Sequence, residues 1–368
     1  MKKTLGILAI FALVATAAFA EVTFGAWGRG LFVPVEGTSD STTYDTTTSW
    51  GGNARVGATI AGSTEAGDIG FQIDFNGDGN SIGAGDNQFI WAQPIEGLRL
   101  AVGKIEDNTL RGDEAFGGFN WLRSASNSGI GEGITFARTD ADDGENSQGA
   151  EIKYQGYGFT AIAMIRDPTD RYEVSDMISD INFDVAYDIA NIGMIKAGIH
   201  SDPEDTLNGS TTVGGFTYDY NSSFYQFAFD LKAVENLNLS VGLQLPMYSD
   251  VTDNGDYRDS IISASGNYTI DAAKLHFYFI ETIYDSDTDY DNGTQAAIGA
   301  DYGFDAGYGL TSDVTFAKVD NADDATIGGT IGVTKSLSSG CVGVAFQANK
   351  TGDADTYFAI PVKVEYWF

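Results

Sequence analysis

The 368-residue chain carries 52 acidic against 20 basic side chains, a formal net charge of −32. Such an acidic excess, with only two histidines, leaves no basic stripe to displace counterions from phosphate and excludes nucleic acid as a partner. The 46 glycines, six prolines and 43% hydrophobic content fit a chain of many β-strands and argue against disorder.

Residues 1–20 read as an export signal. Lys2 and Lys3 give a positive start, Leu5 to Val14 an apolar run, and Ala18-Phe19-Ala20 a small-x-small cleavage site. The run is too short to span a membrane, so cleavage after Ala20 is expected, leaving residues 21–368 as one domain. No later apolar run reaches the length of a membrane helix.

From Glu21 onward the chain alternates with a period of two. Phe24, Ala26 and Phe32 share one face and leave Arg29 beside Trp27 on the other. Ala54, Val56, Ala58 and Ile60 similarly leave Arg55 and Thr59 opposite, and Ile69, Phe71, Ile73 and Phe75 alternate with Gln72 and Asp74. Asp74-x-Asn76-x-Asp78-Gly79 resembles the start of a calcium loop. Gly85 stands at its twelfth position, where a bidentate acid is required, so a turn is expected and no metal. Leu98, Leu100 and Val102 leave Arg99 on the opposite face.

The next connection is the longest of the N-terminal half. It runs from Glu106 to about Ser128 and contains Arg111, Asp113, Glu114, Phe116-Gly117-Gly118, Trp121 and Arg123. It comes third among the long loops, after Glu36 to Gly51 and Gly77 to Asp86. A loop of more than ~12–15 residues with aromatics in it is usually functional or folded against something.

Beyond it, Phe159 to Ile165 is an apolar run of strand length, and alternation resumes from Ile181, Tyr225, Leu237 and Leu275. Leu275, Phe277 and Phe279 oppose His276 and Tyr278, which turns His276 away from the apolar face. Neither His276 nor His200 lies in a Ser/His/Asp context, so neither catalysis nor a cofactor is expected. Cys341, the single cysteine, can form no intrachain disulfide and reads as a small apolar filler. Trp91, Tyr284 and Trp367 fall near strand ends, where an aromatic girdle would lie.

Short turns such as Gly156-Tyr157-Gly158, Glu235-Asn236 and Asp271-Ala272-Ala273 alternate with long acidic loops such as 167–176, 201–212 and 250–259. Alternate strands then carry all the long loops at one end, as in a membrane barrel. The expected fold is all-β: a transmembrane antiparallel β-barrel of about 18 strands, within 16–20. At the C-terminus Val362, Val364, Tyr366 and Phe368 alternate with Lys363, Glu365 and Trp367. A last strand with Val364, Tyr366 and a terminal Phe368 resembles the assembly signal of Gram-negative outer-membrane proteins.

The strand and loop order, with Glu114 ahead of Phe116-Gly117-Gly118 in the third loop, resembles the general porins of Gram-negative-type outer membranes. The family's Pro before the Glu is absent, Ala115 is interposed, and Asp113 is the nearest substitute for its second loop carboxylate. Arg29 and Arg55 match basic positions on the family's first two strands, and Arg123 matches the one after the loop. The fourth strand has none, and Arg99 on the fifth is the replacement. With Arg111, these residues make up the expected pore constriction, its loop spanning 106–128 and folding inward.

The resemblance implies a water-filled channel for passive diffusion of small hydrophilic solutes and ions. It also implies outer-membrane lipid and the outer-membrane assembly machinery as partners, and a homotrimer. The acidic loops add an expected weak cation preference. The competing readings are a surface adhesin or structural barrel whose acidic loops bind a partner, and a secreted soluble β-protein.

Overall fold

The computed structural model describes residues 21–39, 42–43, 55–77, 81–112, 135–137, 139–140, 149–166, 181–200, 209–213, 216–220, 224–246, 258–284, 292–318 and 323–368. Nearly all of them are strand. In the first third these are β1 (Glu21–Thr38), β2 (Arg55–Ser63), β3 (Ile69–Gly77), β4 (Ile82–Ile95) and β5 (Leu98–Lys104). The middle holds β6 (Gly149–Gly156), β7 (Phe159–Arg166), β8 (Ile181–Ile189), β9 (Gly193–His200), β10 (Phe224–Leu231), β11 (Leu237–Pro246) and β12 (Arg258–Ile270). The last are β13 (Ala273–Tyr284), β14 (Gly293–Gly303), β15 (Tyr308–Lys318), β16 (Thr326–Leu337), β17 (Gly340–Thr351) and β18 (Tyr357–Trp367).

Each strand pairs antiparallel with the next in sequence, and β18 returns to β1, with Trp27 facing Trp367 and Thr38 facing Tyr357. The result is a closed barrel of 18 strands, with a two-residue strand, Thr42–Thr43, added beside β1. In the connection from β9 to β10, Gly209–Val213 and Phe216–Tyr220 pair as a separate two-stranded sheet. Closure leaves no sheet edge, so every strand's backbone groups find partners within the chain, as a lipid environment requires.

The two-residue alternation becomes two surfaces. Phe227, Val241, Ile262, Ile298, Val314 and Ile331 are exposed on the outside. The intervening residues point into the bore, where Gln226, Ser240, Ser263, Thr315, Thr330 and Gln347 are buried. An outward apolar band around a polar interior inverts a soluble protein and matches a barrel whose outer solvent is hydrocarbon.

The short connections follow β2, β4, β6, β8, β10, β12, β14 and β16, all at one end. Tyr157 (φ 53°) and Gly158 (φ 78°) both take left-handed conformations, the geometry of a type I′ hairpin that matches the twist of its flanking strands. Asn191, Asn236 and Asp271 occupy the same region, where short polar side chains are tolerated best. Exposed Tyr187, Tyr268, Tyr302, Tyr308 and Tyr366 lie close to these turns, as a girdle at a membrane interface would.

Trp91 does not belong to that girdle. It points inward from β4 and packs against the group of Ala101, Ile105 and Met164. Ile90 takes the outer face, so Trp91 faces the bore, and a Cβ on Gly70, its partner across the strands, would stand 2.7 Å from the ring that fills the space there.

A lysine at Ile331, 53% exposed on the outer face, should lower the stability of the bilayer-inserted barrel by about 2–4 kcal/mol at mid-depth. Urea unfolding in lipid vesicles reads this; an unchanged midpoint would mean that this face does not meet lipid.

Candidate functional site

The site is built where the connection after β5, the third at its end of the barrel, enters the bore; the expected second loop, Gly77 to Asp86, is shorter than its composition suggests, since β3 runs to Gly77 and β4 already begins at Ile82. After β5 the chain turns inward: Ile105 is buried, and Glu106–Asp107 pairs antiparallel with Thr139–Asp140, so the outgoing and returning legs run side by side. Farther along, the Gly112 amide donates to the carbonyl of Phe136 at 2.8 Å.

Leu110 on one leg and Phe136 on the other are both buried, packed with Ile162 of β7, Ala186 of β8 and Ala228 of β10, and flanked by Met194 of β9. These wall residues occupy lumen-facing positions, which on later strands are held by polar groups such as Ser240, Ser263, Thr315 and Gln347, although β1 also turns Leu31 and Val33 inward. Four neighbouring strands thus present an apolar floor inside a polar bore. Covering Leu110 and Phe136 there contributes roughly 1.5–3 kcal/mol each.

Polar contacts fix where the legs lie. On the outgoing leg, Arg99 donates to Glu151 Oε1 through Nε (2.9 Å) and Nη2 (2.6 Å), and its Nη2 lies 3.3 Å from Asp107 Oδ2. Lys153 reaches the same Asp107 oxygen at 2.7 Å and also donates to Thr109 Oγ1. Asp107 Oδ1 accepts from the Thr109 amide at 2.7 Å. Lys196 donates to the Leu110 carbonyl at 2.9 Å, pairs with Asp230 at 2.7 Å, and stands 5.6 Å from the Phe136 ring centroid.

The returning leg is held by later strands. The Ala137 amide donates to Gln226 Oε1 at 2.8 Å, Thr135 and Ser240 share a hydroxyl contact of 2.5 Å, and Thr139 donates to Asp184. His200 and Gln226 crowd the same Asp184 carboxylate, at 3.1 and 2.9 Å. Gly242 makes room, since a Cβ there would overlap the Thr135 carbonyl oxygen. The two legs therefore rest on the wall from β5 to β11.

A second group lies on β1 and β2. Arg29 and Arg55 face each other across the two strands, and both stack on the Trp27 indole, at 5.3 and 5.4 Å from its centroid. Arg29 Nε lies 3.3 Å from Glu365 Oε1. With its amide oxygen turned toward Arg55, Asn76 accepts from Arg55 Nη2 at 3.2 Å.

Of the residues expected in a constriction, Arg29 and Arg55 come together on the inner wall. Arg99 also points inward but sits at the base of the loop, and Arg111 lies on the outgoing leg, its amide donating to Asn108 O at 3.3 Å. Asp113, Glu114 and Arg123 lie outside the described residues. Asp74 and Asn76 lie within β3, where Asp74 accepts from Thr59 at 2.7 Å; Asp78 and Gly79 lie outside the described residues. Cys341 is buried on the lumen side with Glu365 3.5 Å away.

No local pattern in the sequence marks Asp107, Glu151, Lys153, Lys196 or Asp184 as anchors of the loop. One signal was available: Phe159 to Ile165 is apolar on both faces, so in a polar-lined barrel its inner face must be covered by protein.

A closed barrel with an apolar exterior, a polar bore and a long connection folded against the inner wall defines a porin-type transmembrane β-barrel. No protein-family profile matches the sequence, and no curated protein matches it. Among solved structures the fold is similar to an anion-selective porin from Comamonas acidovorans, at 13% identity and a TM-score of 0.52 over 95% of this chain and 99% of that one. It is likewise similar to a variant of the Rh. blastica porin, at 16% identity and a TM-score of 0.51 over 95% and 100% of the two chains. The chain has the porin fold.

Asn at Asp107 should loosen the outgoing leg by about 3–5 kcal/mol, because Lys153 would be left buried without its carboxylate. Limited proteolysis of the inserted barrel should then cut the connection faster, whereas wild-type cutting rates would show that the leg is held elsewhere. Burial pushes the Asp107 carboxyl up, but Lys153 and the hydrogen bonds around it hold it at about 2, below the usual 3.8. Because the folded value is the lower one, this contribution is complete above pH 3.8 and fades as pH falls through 2. Protease protection of the leg should persist to about pH 4 and weaken below it.

Proposed function

We propose that the chain is an outer-membrane porin, a water-filled channel through which small hydrophilic solutes and ions diffuse passively. The observation that carries this reading is the third connection itself, whose legs are docked inside a polar-lined barrel by buried ion pairs and an apolar floor. A barrel needed only as a membrane anchor has no use for a segment fastened inside its bore. No bond is made or broken; size and charge select the solute.

In this reading the acidic long loops form a vestibule, Arg29 and Arg55 a basic wall below it, and the loop residues Asp113 and Glu114 the facing carboxylates. The export signal is removed after Ala20, Val364, Tyr366 and Phe368 present the assembly signal, and three copies associate in the membrane. The acidic vestibule gives a weak preference for cations.

Planar-bilayer recording of the refolded protein under a salt gradient tests this. Stepwise openings with a reversal potential on the cation side are expected. Folded barrels that stay silent would favour the adhesin reading, and a clear anion preference would mean that the arginines outweigh the loops. Gln at Glu114 should shift conductance or selectivity; no change would place Glu114 outside the narrowest section.

A further inference from the structure

Arg29 and Arg55 are direct partners in the β1–β2 register. Like charges set opposite each other on adjacent strands are destabilising, and a local rule broken without evident structural gain points to function. The indole of Trp27 reconciles them. It lies on the same inward face, two residues before Arg29, and both guanidinium carbons stand over its ring at 5.3 and 5.4 Å. Its register partner is Gly57, where a Cβ would overlap the indole. Glycine at that position therefore lets the ring lie across β2 and come within reach of Arg55.

Among the described residues, one shared carboxylate faces the pair. Glu365 stands against Arg29 at 3.3 Å and against Lys363 at 3.7 Å, so one carboxylate serves two cations. Arg55 has the neutral amide of Asn76 at 3.2 Å. Arg29 keeps nearly half of its side-chain surface open.

We propose that Trp27 is the positioning residue for this arginine pair and thereby sets the ion selectivity of the channel. Held against the ring, the two guanidiniums keep further N–H groups for contact with carboxylate or phosphate groups in transit. Without the indole, Arg29 is held by its pair with Glu365 alone and Arg55 by Asn76 alone, and the wall presents less positive charge to the bore. The proposal rests on the channel reading and specifies which side chain orients its basic wall.

The test is the reversal potential of the refolded full chain in a potassium chloride gradient. W27A should move the cation-to-anion permeability ratio about two- to fivefold toward cations, the factor that a cation–π contact at an exposed site is worth. W27F, which keeps an aromatic face, should restore most of the wild-type ratio. G57A adds no charge and removes none, but it displaces the ring and should shift the ratio in the same direction. With both arginines neutralised as R29Q and R55Q, adding W27A should change nothing further. A wild-type ratio in W27A, or an equal shift on the arginine-free background, overturns the proposal. A wild type that passes no current removes the channel reading itself, whereas a conducting wild type with an unresponsive W27A removes this inference alone.

Discussion

Backbone hydrogen bonds have to be satisfied without water across a lipid-facing wall, and the pairing of β1 with β18 is what meets that requirement here. It removes the last free edge, and the consequence spreads to the side chains. With hydrocarbon outside, the apolar residues of each strand turn outward, and the bore receives the polar set. A lumen lined in this way can hold charged groups that a packed core would exclude, so the ion pairs of Arg99, Lys153 and Lys196 are tolerated there.

The docked connection depends on a local reversal of that rule. Ile162, Ala186, Met194 and Ala228 put apolar surface on the wrong side of the wall, and the connection covers it with Leu110 and Phe136. Burial gives the attraction but little direction, since apolar contact is roughly indifferent to sliding. Direction comes from the paired charges: an Asp107 carboxylate held between Lys153 and Arg99 has few alternative positions. The apolar floor holds the leg down and the ion pairs set its register.

The barrel was legible in the sequence because alternation such as Leu275, His276, Phe277 is a local property and needs no partner to be seen. The inward direction of Arg29, Arg55 and Arg99 followed from the same parity. What parity does not carry is who meets whom. Arg99 and Glu151 are 52 positions apart, and Lys153 and Asp107 are 46 apart; they meet because β5 pairs with β6 after the connection has turned inward. Trp91 obeys the same parity, since Ile90 takes the outer face, and its place near a strand end carries no information about its side. The run from Phe159 to Ile165 lacked sidedness, and that absence of pattern was itself the trace of the docked leg.

The returning leg carries a consequence for the order of assembly. Ala137 and Thr135 are held by Gln226 and Ser240, which stand 89 and 105 positions later in the chain. Those partners do not exist as a surface until β10 and β11 have joined the sheet. The wall must therefore be built through β11 before the connection can settle, and a half-made barrel has an unfurnished interior. The docked legs are the last part of that half of the molecule to find their place, although their residues are among the first to be made.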